Sequence, residues 1–424
     1  MELTELPMTG AASLDGAGSE DEAAPSSRLR GFHPGWFGAV MGTAIVAIAA
    51  MQNPGAVTSL APAARSLAQV MSAIAAVLGA ALLVAYLGRF LLHHDAALAD
   101  LRDPVAGALY GTLPGGILVL AAAAADIGST WFSPETVRGI VIWLDWVGVP
   151  LAFATSIVFA YLLFVRSEVV LESVNGGWFI PPVVNIVVPL VLIPLVPGSS
   201  PMLARALLLT SYGFWGMGFL LYLLIVTMLH HRLVLHPLPH AGLAPSLWIG
   251  LGPIGAGALA LLKMAAAGGG AFGPGAASLE LASKLAATAM WGFGAWWLVA
   301  AALLLVHYLR AGRLPYGIGW WGFTFPLGAY TVATLSLGKA WQLRGLEVAG
   351  GVLFVLLGIF WLVVTGRTAV ALGSGEALRA ERATVPTDRD SGGNLSAIGQ
   401  RPADQPAYPP PTDHLVGTVR LGAG

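Results

Sequence analysis

Ten runs of mainly apolar residues follow one another through the chain, each about as long as the roughly 20 residues a helix needs to cross a bilayer core. They cover about 34–52, 67–92, 104–125, 137–164, 178–196, 203–229, 245–268, 283–309, 316–338 and 346–368. Only 10% of the residues are charged. Soluble domains carry about 25%, so this chain cannot cover a soluble globule with charge. The pattern predicts an all-α polytopic membrane protein of ten transmembrane helices joined by short loops.

A net charge of -1, with no basic run interleaved with aromatic residues, gives no nucleic-acid signal. Cysteine is absent, which excludes disulfides, thiolate metal sites and cysteine nucleophiles. Residues 1–32 are polar and acid-rich, through Glu2, Glu5, Asp15, Glu20, Asp21 and Glu22. They lack the basic and apolar regions of a signal peptide. Residues 372–424 turn polar again and contain Pro402, Pro406 and Pro409. Both ends are expected as disordered cytoplasmic tails around a transport domain at 33–371.

Lys and Arg bias sets the orientation. One set of loop flanks holds eleven such residues, among them Arg89, Arg166, Arg232 and Arg310, and the other holds five, Arg65, Arg138, Arg205, Lys339 and Arg344. This bias places both ends of the chain in the cytoplasm, as an even number of spans requires.

Odd and even runs differ in kind. The odd ones open on aromatic, Pro and Gly residues, as in HPGWFGAVMGT, DPVAGALYGTLPGG, GGWFIPPVVNIVVPL, PSLWIGLGPIGAG and GWWGFTFPLGAY. Pro34, Pro104, Pro181, Pro253 and Pro326 recur at intervals of 70, 77, 72 and 73 residues. Even runs have no internal proline except Pro150. The repeat predicts five tandem helical hairpins, each with one broken and one smooth helix. The breaks are expected near the membrane midplane, at Gly42 and Thr43, Pro114, Pro189, Pro253 and Pro326. Broken helices leave backbone groups unsatisfied and are tolerated only inside protein or beside water. The five odd helices are therefore expected to line a central pore and the five even ones to face lipid.

The first, third, fifth and ninth runs carry no charge within the expected pore, which disfavours a cation path. Asp145, in WLDWVG of the fourth run, is the only carboxylate well inside a span. Lys263, Lys339 and Arg344 fall near the outer ends of odd spans, where they would form an electropositive mouth that concentrates anions. Phe325 lies at the break of the ninth run, where its ring could close a narrow pore by excluding water and ions. Core packing is the competing reading for that phenylalanine. His93-His94 and His230-His231 could ligate haem or a metal, but they sit beside Arg89 and Arg232 at cytoplasmic helix ends, where interfacial anchoring is the simpler account. No nucleotide, hydrolase or zinc motif is present, and the chain is read as no enzyme and as needing no cofactor.

HPGWFGAVMGT, GPIGAGALAL and WWGFTFPLGAY resemble the tellurite-resistance/dicarboxylate transporter family, across about residues 32 to 370. That family includes tellurite-resistance permeases, malate permeases, sulfite efflux pumps and plant slow anion channels. The resemblance implies five helical hairpins around a pore, commonly a homotrimer, and a pore-blocking phenylalanine that the TFP match places at Phe325. The function expected is transport of small anions, C4-dicarboxylates such as malate first, across the inner membrane. The alternatives are a chloride/nitrate-type channel, a sulfite- or tellurite-linked efflux protein, and, from another class, a haem or metal protein using the paired histidines.

Overall fold

A computed structural model describes residues 29–166, 169–312 and 314–375. What was expected of residues 1–28 and 376–424, the bulk of both tails, lies outside them. The described residues contain helices and turns and no strand. The ten long helices are α1 (Phe37–Met51), α2 (Ala61–Leu92), α3 (Thr112–Ile127), α4 (Pro134–Val165), α5 (Ile180–Leu192), α6 (Pro201–Leu235), α7 (Leu251–Ala267), α8 (Ala276–Arg310), α9 (Thr324–Trp341) and α10 (Arg344–Gly373).

Each odd helix packs on the even helix that follows it, which makes five hairpins. The odd helices also pack on one another in the closed order α1–α3–α5–α7–α9–α1. Each even helix leans on the next odd helix as well, α2 on α3, α4 on α5, α6 on α7, α8 on α9 and α10 on α1. This is an inner ring of five within an outer ring of five. Burial separates the rings: 67% to 89% of the residues in the apolar windows of α1, α3, α5 and α7 are buried, against 17% to 28% in the even helices. The outer faces present Trp143, Trp146 and Phe164 at 73% exposure or more, the surface expected where the solvent is lipid.

Nine helical segments among the described residues are long and apolar enough to cross a membrane. The expected ninth span, α9, is outside that set, although it is the fifth member of the inner ring. It carries Thr324, Thr331, Thr334, Ser336 and Lys339. Thr331 and Thr334 donate to the carbonyls of Leu327 and Tyr330 one turn back. A helix enclosed by other helices can hold such residues because its neighbours and its own backbone satisfy them, so hydropathy understates it.

The breaks in the odd spans differ in position from the sequence expectation. Four odd spans start as a short tight segment and the third as a single α-helical turn, Ala106–Leu109, before the long helix begins at Phe37, Thr112, Ile180, Leu251 or Thr324. Pro114, Pro253 and Pro326 are each the third residue of the regular helix. Proline is tolerated there because first-turn N–H groups have no acceptor within the helix. In the fifth span the junction lies at Phe179–Ile180, beside Pro181 and Pro182, and α5 then continues through Pro189. The first span is unbroken at Gly42 and Thr43, since α1 runs from Phe37 to Met51. Those two residues serve packing: a Cβ on Gly42 would meet Thr324 Oγ1 of α9 at 2.1 Å. Thr43 donates to the Ala39 carbonyl and accepts from Trp361 of α10 at 3.1 Å, so its side chain points to the outer ring.

Inner-ring helices touch through small residues. A Cβ on Gly255 of α7 would lie 2.4 Å from the Tyr330 nitrogen and 2.7 Å from the Ala329 oxygen of α9. Both are backbone atoms that cannot move aside. Gly255→Val should therefore lower the unfolding midpoint of the purified protein, at a cost of about 1–3 kcal/mol for an overpacked contact. Gly292→Val on α8, where a Cβ meets nothing within 4 Å, should leave it unchanged.

Candidate functional site

The tight segments that open the odd spans converge around one cavity of about 90 Å³, room for several waters. Every odd span contributes to its wall: Gly35 and Met41, Leu109 and Thr112, Asn175 and Val183, Ser246 and Ile249, and Trp321, Phe325 and Pro326. No charged side chain lines it. Since all five spans present their N-terminal ends here, this is the N-terminal mouth of the ring.

A recurring polar residue shapes the rim. His33 Nδ1 accepts from the Gly35 N–H, Asn175 Oδ1 from Gly177 and His240 Nδ1 from Gly242, at 3.1, 2.7 and 3.2 Å. Asp103 Oδ1 plays this part in the third span, accepting from Val105 and Ala106 at 2.8 Å. In the ninth span the position is Gly317, with no capping side chain. Side-chain caps of this kind satisfy N–H groups that the helix leaves free. Sequence reading passed over these caps, although the signal is visible in HPGW, NGGW and HAGL: a cap two residues before a glycine that lines the cavity.

Arginines from the outer ring hold this rim from behind. Arg89 of α2 is buried, pairs with Asp100 at 2.5 Å and donates to the Arg30 carbonyl. Arg232 of α6 donates to the Val174 carbonyl. These two residues, counted as orientation signals, are also struts for the loops of the mouth.

Phe325 is the second residue of α9, 6% exposed, with its ring edge against the cavity. Its Cε1 lies 3.7 Å from where a Cβ on Gly252 would stand, beside Val183 and Pro326. The missing side chain at Gly252 leaves the ring space on α7. Phe323, by contrast, packs outward against Trp248, Trp320 and Phe360.

At the C-terminal mouth the three cations singled out in the sequence gather near the end of α1. Lys339 donates to the Gln52 carbonyl and to Gln52 Oε1 at 3.0 and 2.9 Å. Arg344 donates to the Ala56 carbonyl and lies 3.9 Å from Glu347. Lys263 lies 3.7 Å from Asp126 of α3. The expected electropositive mouth is thus partly neutralised, because Asp126 and Glu347 stand against two of its three cations.

Asp145 is buried in α4, and neither carboxylate oxygen has a hydrogen-bond partner. Among the described residues no group of three or more His, Asp or Glu side chains could hold a metal ion.

A closed ring of apolar helices, with an uncharged cavity at one end and cations at the other, is the frame of a multi-pass membrane protein. Residues 31–369 match the voltage-dependent anion channel family, SLAC1, and the chain belongs to that family. It is 33% identical over 353 residues to the uncharacterized transporter MJ0576 of Methanocaldococcus jannaschii, covering 83% of this chain and 96% of that one. It is 28% identical to the sulfite efflux pump SSU1 of Arthroderma otae, across 80% of this chain and 90% of the pump. It is 23% identical to the malic acid transport protein of Schizosaccharomyces pombe, across 52% of this chain and 54% of that protein.

Burial pushes the His33 imidazole down to about 4, against the pull of the Asp100 carboxylate. The folded protein then binds fewer protons than the unfolded chain between the ordinary value of 6.5 and about 4. Stability due to His33 is present above that window and is lost as pH falls through it. His33→Asn keeps a cap acceptor, and should flatten this part of the pH profile of the unfolding midpoint.

Proposed function

We propose that this protein moves small anions through the centre of the inner ring and that the Phe325 ring is the gate. The observation that carries the reading is the position of Phe325 in a stretch where all five odd spans line one cavity. A bulky apolar ring at an uncharged constriction stops ions by keeping water out, and opens by moving aside. Gly252 supplies space for that movement.

For cargo we propose C4-dicarboxylates such as malate, carried across the inner membrane by a protein with both ends in the cytoplasm and assembled as a homotrimer in the lipid bilayer. The malic acid transport protein among its relatives favours this cargo. Sulfite is the second reading, favoured because the similarity to sulfite efflux pumps extends over more of the chain. Tellurite resistance finds no comparable support.

Currents across bilayers containing the purified protein test the gate. Phe325→Ala should raise anion current at least tenfold over wild type, since an open pore removes a barrier of 1.4 kcal/mol or more, and should leave the unfolding midpoint close to wild type. Reversal potentials with malate, sulfite and chloride then rank the cargo. A folded Phe325→Ala protein with wild-type flux removes the ring from the gate.

A further inference from the structure

Beyond Phe325 three inner helices carry faces that step by three and four residues, the spacing of one side of a helix. On α9 the face runs from Phe325 through Ala329 and Val332 to Ser336 and Ala340. On α7 it runs from Gly252 through Ala256 and Leu259 to Lys263. On α1 it runs from Gly38 and Met41 to Gln52 at the helix end. These three faces meet again in a second cavity of about 330 Å³, lined by Gln52, Lys263, Ser336 and Ala340, with Glu280 and Lys284 of α8. Eleven residues of helix separate Ser336 from Phe325, which is on the order of 16 Å at 1.5 Å per residue.

This second cavity differs from the first in holding charge. Its two lysines are held differently. Lys284 is paired with Glu280 one turn away on its own helix at 2.8 Å. Lys263 reaches Asp126 of α3 at 3.7 Å, beyond hydrogen-bonding distance. In the ring order α3 and α7 are not neighbours, because α5 stands between them. At this level α5 has ended at Leu192 and given way to the turn Ile193–Leu195. The Lys263–Asp126 pair therefore joins α7 to α3 past the end of α5, with Lys263 in the wall of the second cavity and Asp126 behind it. Both side chains keep access to water, at 30% and 23% exposure. A wet pair of this length is worth little and separates readily.

We propose that Lys263 is the anion ligand of this second cavity, and that Asp126 occupies it from α3 as a built-in competitor. An incoming carboxylate or sulfur oxyanion takes the place of the Asp126 carboxylate on the ammonium. The pair is thus a charge-selecting constriction in series with the apolar one at Phe325. A site that binds by displacing a weak internal partner can also release, which conduction requires. The assignment rests on the anion-transport reading above.

The test measures flux and binding separately in the full-length protein, with sodium malate and sodium sulfite as probes. Flux is read as the half-saturating concentration in proteoliposomes, and binding as the anion-induced rise in unfolding midpoint of purified protein. Asp126→Asn should lower the half-saturating concentration by roughly threefold or more, the worth of one half-buried charge contact. Lys263→Gln should raise it and abolish the anion-induced stabilisation. In the double variant Asp126→Asn should lose its effect, since the two act through one contact. A purely structural bridge would lower the midpoint without anion in both variants and leave the anion dependence as in wild type, which overturns the proposal. Phe325→Ala should change maximal flux without moving half-saturation, so gate and ligand fail independently. If no variant carries flux, the transport reading falls. Anion stabilisation that is lost in Lys263→Gln then still supports the ligand, and stabilisation that persists overturns it.

Discussion

Close approach of the five inner helices is the constraint on which the rest depends. Gly255 lets the backbone of α7 lie against Ala329 and Tyr330 of α9, and Gly42 lets α1 lie against Thr324. Membrane helices gain no hydrophobic force from one another, because lipid is as apolar as they are, and small residues at the contact restore attraction through packing. A ring drawn this tight leaves a cavity of only about 90 Å³ where the five odd spans converge, with Phe325 in its wall. It also removes the inner helices from lipid, which lets α9 carry threonines and a lysine.

The two ends of the lumen solve different problems. At the N-terminal mouth the polar side chains that line the cavity are already engaged with backbone: Thr112 donates to Pro34 and Leu109 carbonyls, Asn175 caps Gly177, and Ser246 accepts from Gly176. They hold the tight segments in shape and leave the passage weakly interacting. At the C-terminal mouth Lys263, Lys284 and Lys339 stand near Asp126, Glu280 and Gln52. Two of these three lysines stand against a carboxylate, so the positive charge there is partly offset. In the transport reading proposed above, a passage must attract its ion and let it go, and an apolar neck with a partly offset cationic mouth suits both needs.

Several residues had their place from the sequence alone. The proline repeat marked the hairpins, and Pro114, Pro253 and Pro326 stood within three residues of the junctions where regular helix begins. Phe325 could be set beside that junction because it adjoins Pro326. Thr43 and Pro189 were misplaced because proline and small-residue patterns mark where a helix can bend, not whether it does. α1 is regular through Thr43, which donates back to Ala39 and accepts from Trp361. The rim caps were missed because a histidine or asparagine before a glycine is unremarkable one at a time and has meaning only when three of them recur at the starts of spans that share one cavity.

The sequence by itself determined that the chain spans a membrane, that it does so as five hairpins, and which member of each hairpin is enclosed. Those properties depend on local composition and on periodicity, which a one-dimensional pattern carries in full. Tertiary structure alone decided which side chains share the lumen. Thr43 turns outward to a tryptophan 318 residues away. Lys263 turns inward to Asp126, on a helix that is neither its neighbour in sequence nor its neighbour in the ring. Such contacts depend on the rotation of each helix about its axis and on the level at which α5 ends, and the packing of all five helices sets both together.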